Sequence, residues 1–99
     1  MQGANCCMED VLILGELEKI KTVSDPLRVK VLKILIQKEA TVKQIADSLN
    51  QSSAKMHYHV KELEKQNLIK LVKTIEKGGI LEKYYRAVAK NFRIAFDIS

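Results

Sequence analysis

The residues with usable chemistry crowd into eleven consecutive positions: Gln51, Ser52, Ser53, Lys55, His57, Tyr58, His59 and Lys61. Their amides, hydroxyls, imidazoles and ammonium groups are donors suited to phosphate oxygens and to base edges. Histidines also bind metals, but two helical positions two apart diverge by about 200°, so His57 and His59 do not readily chelate one ion. His59 borders an apolar stripe and is expected to be half buried, holding a backbone or phosphate group. Cys6 and Cys7 can bind soft metals or react with oxidants. A metal site normally needs three or four ligands, and the chain has no third cysteine. A cysteine pair between subunits, or a site shared across a dimer, stays open. No metal and no cofactor is expected. There is no glycine-rich phosphate loop, no H-E-x-x-H and no nucleophile–base–acid set, so no enzyme is expected either.

These residues need a scaffold, and the segment Thr41–Leu68 describes one. Thr41 followed by Gln44 is a capping-box pattern that starts a short helix. Ile45, Ala46 and Leu49 give that helix one apolar face, and the small Ala46 permits close approach by a neighbour. Asn50 sits where the chain must reverse, and asparagine tolerates a left-handed backbone. Ser52 or Ser53 can cap the following helix, in which Met56, Val60 and Leu63 form one stripe. Two helices joined by so short a turn make a helix-turn-helix, whose second helix, about residues 53–66, can enter a DNA major groove. Turning about 100° per residue from Met56, Tyr58 and Lys65 point almost directly away, Ala54 and Lys61 lie near them, and Lys55 and His57 flank them. Lys65, about two turns from the tip, is read as part of a solvated face.

Ninety-nine residues make one small domain. A hydrophobic content of 46% argues against disorder. No apolar run is long enough to span a membrane, and the start MQGANCCMED is no secretory signal. A soluble, cytoplasmic protein is expected. The net charge of +5 is uneven: residues 53–93 hold ten Lys and Arg against four Asp and Glu, and the remainder is slightly acidic. That asymmetry suits a polyanionic partner.

Residues 1–8 read as a loose leader and 9–99 as one domain. A helix is expected from Glu9 to Lys21, with Ile13, Leu17 and Ile20 on one side. Val23-Ser24-Asp25-Pro26 is a restart, an Asp or Ser cap followed by proline at the first helical position. The helix from Leu27 to about Gln37 is apolar around much of its circumference and is therefore central. Two β-rich runs flanking Gly78-Gly79 predict a hairpin over about residues 69–88, both glycines taking positive φ. In it Lys70, Lys73, Lys77, Lys83 and Arg86 alternate with Leu71, Ile75, Leu81 and Tyr85. Tyr84 and Tyr85 fall on opposite faces, one in the core and one exposed. The tail AKNFRIAFDIS begins like a short helix.

A hairpin directly after a recognition helix makes a winged helix-turn-helix, mainly α with a β-hairpin wing. The run SDPLRVKVLKIL, the segment IADSLNQSSAKMHYHVKELEKQNLIK and the Lys-Gly-Gly wing ending in YYRA resemble the ArsR family of bacterial transcriptional regulators. The resemblance covers roughly residues 16–93. It implies a homodimeric repressor, dimerising through terminal helices, with an effector that alters DNA affinity. Two departures stand out. Asn67 precedes Leu68-Ile69 where the family usually has glycine, and the helix VKQIADSL lacks the Cys-x-Cys of the family's familiar metal sensors. The expectation is a sequence-specific regulator of double-stranded DNA. Its candidate contacts are Thr41, Gln51, Ser52, Ser53, Lys55, His57, Tyr58 and Lys61, with Lys73, Lys77, Lys83 and Arg86 from the wing. Apolar residues in Val11–Ile20 and Phe92–Ile98 point to a homodimer, which would match a palindromic operator. The alternative is a winged-helix protein-interaction module without DNA binding.

Overall fold

A computed structural model describes residues 8–95. The elements run β1 (Glu9–Leu14), α1 (Leu17–Thr22), α2 (Pro26–Gln37), α3 (Val42–Leu49), α4 (Ser53–Lys65), β2 (Ile69–Lys77), β3 (Ile80–Ala87) and β4 (Ala89–Ile94). Cys6 and Cys7 lie outside the described residues.

Helix α2 is the hub. Asp25 caps it, accepting from the amides of Leu27 (2.8 Å) and Arg28 (3.4 Å), and Pro26 fills the first position. Proline fits there because its missing N–H has no intrahelical acceptor to lose. Val31, Leu32 and Leu35 are buried, and the helix packs against α4, β3 and β4. The core continues through Ile45, Ala46, Met56, Val60, Leu63, Leu68, Ile69 and Tyr85.

Strands β2 and β3 form the expected antiparallel hairpin, with Lys77 opposite Ile80 at its end. Gly78 and Gly79 both take positive φ, at 54° and 84°. A two-residue turn of that hand matches the twist of the strands it joins. The register slips between Leu71 and Lys73, a bulge at Val72 that interrupts the simple alternation. At its base the wing is tied to the α2–α3 connection by paired backbone bonds between Ala40 and Tyr85, at 2.9 and 3.1 Å. Tyr85 is the buried member of the tyrosine pair, and Tyr84 is half-buried.

Two expectations at the chain ends are corrected. The predicted helix Glu9–Lys21 is a strand, a break at Gly15-Glu16, and a short helix that starts only at Leu17. The predicted helical start of the tail is strand β4. The two strands pair in parallel, Glu9 beside Ala89 and Leu14 beside Ile94. Leu12 and Phe92 pack against the core from one face and Leu14 enters it. Gly15 follows at a close approach, where an added Cβ would lie 3.1 Å from the Ala95 carbonyl oxygen.

Candidate nucleic-acid interface

The helix-turn-helix is built by short-range bonds. The Thr41 hydroxyl accepts from the Gln44 amide (3.1 Å) while the Gln44 side chain accepts from the Thr41 amide (3.0 Å). Asn50 ends α3 in the left-handed region, at φ 56° and ψ 48°. Ser52 caps α4, its hydroxyl accepting from the Lys55 amide at 3.2 Å. Asn67 stands left-handed after α4, at φ 61°, so asparagine performs there the turn for which glycine is otherwise suited.

With Met56, Val60 and Leu63 buried, α4 turns Ser53, Lys55, His57, Tyr58 and Lys61 outward. Tyr58 is 55% exposed, a large share for an aromatic ring. Gln51 is half-buried beside them, and Ser52 is exposed apart from its capping bond. Lys61 lies 3.9 Å from Glu64, an exposed pair that is worth little. Thr41 differs from the rest: it is buried and its hydroxyl serves the cap.

The wing separates its basic residues into free and engaged groups. Lys77 and Lys83 are exposed near the turn. Lys73 pairs with Glu39 and lies 4.9 Å from the centre of the Tyr84 ring; the bond to Glu39 pushes its pKa up. Arg86 points back to α2, donating to the carbonyls of Leu35 (3.1 Å), Ile36 (3.2 Å) and Gln37 (3.3 Å). Those carbonyls have no amide partners within the helix, so Arg86 closes the end of α2. Between wing and helices runs a groove of about 460 Å³, bordered by Lys43, Gln44, His57 and Lys83.

Sequence reasoning missed Arg28. From α2 its Nε donates to His59 Nδ1 at 3.0 Å, and one Nη reaches the Thr22 carbonyl at 3.4 Å. The other Nη reaches the Tyr58 hydroxyl at 3.4 Å, and the guanidinium carbon lies 5.5 Å from the centre of the Tyr58 ring. His59, expected half-buried, is only 6% exposed. Burial pushes its pKa down, with Arg28 and Lys55 acting the same way and Asp25 and Glu62 opposing. The Asp25 carboxyl is held below its ordinary range: burial works against its charge, but the Leu27 and Arg28 amides and the nearby His59 and Arg28 prevail. The one available signal was the place of Arg28 in the first turn of α2, three residues after the capping Asp25, and it does not reveal a partner 31 residues away.

Among the described residues no helix is long and apolar enough to cross a membrane, and no cluster of three or more His, Cys, Asp or Glu could hold a metal. Residues 23–72 match the family described as helix-turn-helix domain. No curated protein matches the chain in sequence. Several solved structures share its fold. Reduced HlyU from Vibrio cholerae is 18% identical, with a TM-score of 0.60 over 74% of this chain and 72% of its own. A homodimeric winged helix-turn-helix DNA-binding domain of Mb0332 from Mycobacterium bovis, described as a possible ArsR-family transcriptional regulator, is 20% identical, with a TM-score of 0.59 over 74% of this chain and 63% of its own. The transcriptional repressor BigR from Xylella fastidiosa is 19% identical, with a TM-score of 0.55 over 69% and 62%. The resemblance to the ArsR family agrees with these neighbours in fold. The chain belongs to the helix-turn-helix domain family and folds as a winged helix-turn-helix, the architecture of those transcriptional regulators.

Proposed function

We propose that this protein is a sequence-specific, DNA-binding transcriptional regulator of the ArsR type that acts as a repressor. The observation that carries the reading is the outward face of α4, where Lys55, His57, Tyr58 and Lys61 stand exposed on a helix whose opposite face is locked into the core. A helix about 10–12 Å across fits a major groove about 12 Å wide. Gln51, Ser52 and Ser53 sit at its leading end, where free amides and hydroxyls suit a phosphate. Lys77 and Lys83 extend the basic surface along the wing and would hold the backbone. Lys73 can join them by exchanging Glu39 for a phosphate. Thr41 and Arg86 act through structure, by starting α3 and closing α2.

The same reading includes a homodimer on a palindromic operator. Residues 9–99 act as one domain whose terminal segments supply the interface. Val11 and Ile13 lie exposed on the outer face of the terminal sheet, Ile13 at 56%, and Leu17 and the β4 residue Ile94 are exposed as well. The Mb0332 domain is described as homodimeric, which supports the same assembly here. Sedimentation at micromolar concentration should give twice the mass of the 11.3 kDa chain, and a single 11.3 kDa species would contradict the dimer. Selection of bound duplexes from a random pool, followed by titration at low salt, tests the DNA reading. One observation favours a second reading: Ile80 and Leu81 at the wing turn are 68% and 62% exposed, an apolar tip suited to a protein. A failure to bind any duplex as the intact dimer would give that interaction-module reading precedence.

A further inference from the structure

The outward tyrosine of the recognition helix does not stand by itself. Arg28 reaches it from α2, a helix outside the helix-turn-helix pair, and joins it to the buried His59. We propose that Arg28 is a positioning residue for DNA reading: anchored on neutral His59, it holds the Tyr58 ring in the pose that meets a base edge. This inference rests on the DNA-binding reading above and adds to it a specificity device.

The hydrogen-bond chemistry leaves little choice of state. Arginine has donors and no acceptor, so His59 Nδ1 must carry a lone pair and the ring proton of the neutral imidazole must sit on Nε2. The second contact, from Nη1 to the Thr22 carbonyl, fixes the guanidinium plane from the α1 side. The third contact, to the Tyr58 hydroxyl and ring, is the only one that falls on a residue turned toward the proposed DNA surface. The rings of Tyr58 and His59 also meet edge to face, with centres 5.4 Å apart. An exposed tyrosine on a helix would otherwise sample more than one rotamer, and fixing it beforehand removes that cost from binding.

Protonating His59 would put a donor against a donor. The groups that bear on this proton are Asp25 and Arg28 from α2 and its cap, and Lys55 and Glu62 on α4 itself. Opening the bond frees Tyr58 without removing any positive charge. Affinity for random DNA, which depends on phosphate contacts, should therefore persist while discrimination falls.

The test measures the dissociation constants of the intact protein for a selected duplex and a scrambled one, from pH 5.5 to 8. Wild-type protein, Arg28→Lys, His59→Gln and Tyr58→Phe are compared. Arg28→Lys keeps the charge but loses the fork that joins His59, Thr22 and Tyr58. It should cut the selected-to-scrambled ratio by about tenfold at pH 7.5, the size of one charge-assisted hydrogen bond, with scrambled-DNA affinity within about twofold. In wild type the ratio should fall on acidification, and in Arg28→Lys it should no longer depend on pH. In the free proteins, the Tyr58 ring resonances should shift in Arg28→Lys and His59→Gln while those of Tyr84, Tyr85 and Phe92 stay in place, which excludes a folding defect. Equal losses on both duplexes would make Arg28 a phosphate contact and overturn the proposal. An unchanged ratio, or unmoved Tyr58 resonances, would overturn it as well. Absence of wild-type binding to either duplex would instead remove the DNA reading, and this inference with it.

Discussion

The helix-turn-helix pair and the terminal sheet are held by opposite kinds of information. In α3, the turn and α4, the deciding bonds span three residues: Thr41 to Gln44, and Ser52 to Lys55. In the sheet, Glu9 pairs with Ala89 and Leu14 with Ile94, so each strand exists because of a partner 80 residues away. The first region also buries its stripe completely, whereas the second presents Val11, Ile13 and Ile94 to solvent. Local chemistry positions the surface proposed to read DNA. Long-range pairing joins the chain's ends into the surface proposed to meet a second copy.

The largest expected effect separates the regions by stability. Leu63 is fully buried on the core side of α4, so Leu63→Ala should cost about 2–5 kcal/mol in urea unfolding. Ile13→Ala on the exposed strand face should stay within about 0.5 kcal/mol for the monomer. Similar losses at both sites would erase the distinction. Next come the caps: Thr41→Ala and Ser52→Ala should each cost about 1 kcal/mol, and negligible losses would show that the helices do not depend on these local bonds.

Asn67 sharpens the same point at a similar scale. It holds a left-handed backbone, so Asn67→Ala should cost about 1 kcal/mol while Asn67→Gly should be tolerated, as chemical denaturation can show.

The smallest expected effect is the pH dependence carried by one imidazole. Because burial lowers the folded-state pKa of His59, the unfolded chain binds its proton first on acidification. The associated stability is fully present above the unfolded value of about 6.5 and is lost as pH falls through the lowered folded value. Asp25 follows the same sign in a more acidic window, below about pH 4. The thermal midpoint should therefore decline between pH 7 and 5, and His59→Gln should flatten that decline. An equal slope in the variant would place the titrating group elsewhere.

The same contrast explains what could be read from the chain. Caps, the left-handed Asn50, the Gly78-Gly79 turn and the Met56–Val60–Leu63 stripe are local in cause, and each was legible. The strand at Glu9–Leu14 was not. Ile13, Leu17 and Ile20 happen to fall at helical spacing, while the partner that makes Val11-Leu12-Ile13 a strand lies at the other end. Lysine exposure at Lys77 and Lys83 followed from position near a turn. Arg86 looked equivalent in sequence, yet its partners are carbonyls about 50 residues earlier. Arg28 was hidden for the same reason, since only the packing of α2 on α4 brings it to His59 and Tyr58.

The most direct test of the account is a titration of the intact protein with a selected duplex and a scrambled one, at several salt concentrations. Lys77→Ala and Tyr58→Ala are the informative variants. The account predicts that Lys77→Ala weakens both duplexes about equally and lowers the salt slope by about one. It predicts that Tyr58→Ala costs roughly 1–3 kcal/mol on the selected duplex and little on the scrambled one. No binding by the wild-type protein at low salt would contradict it, and so would equal losses for Tyr58→Ala on both duplexes.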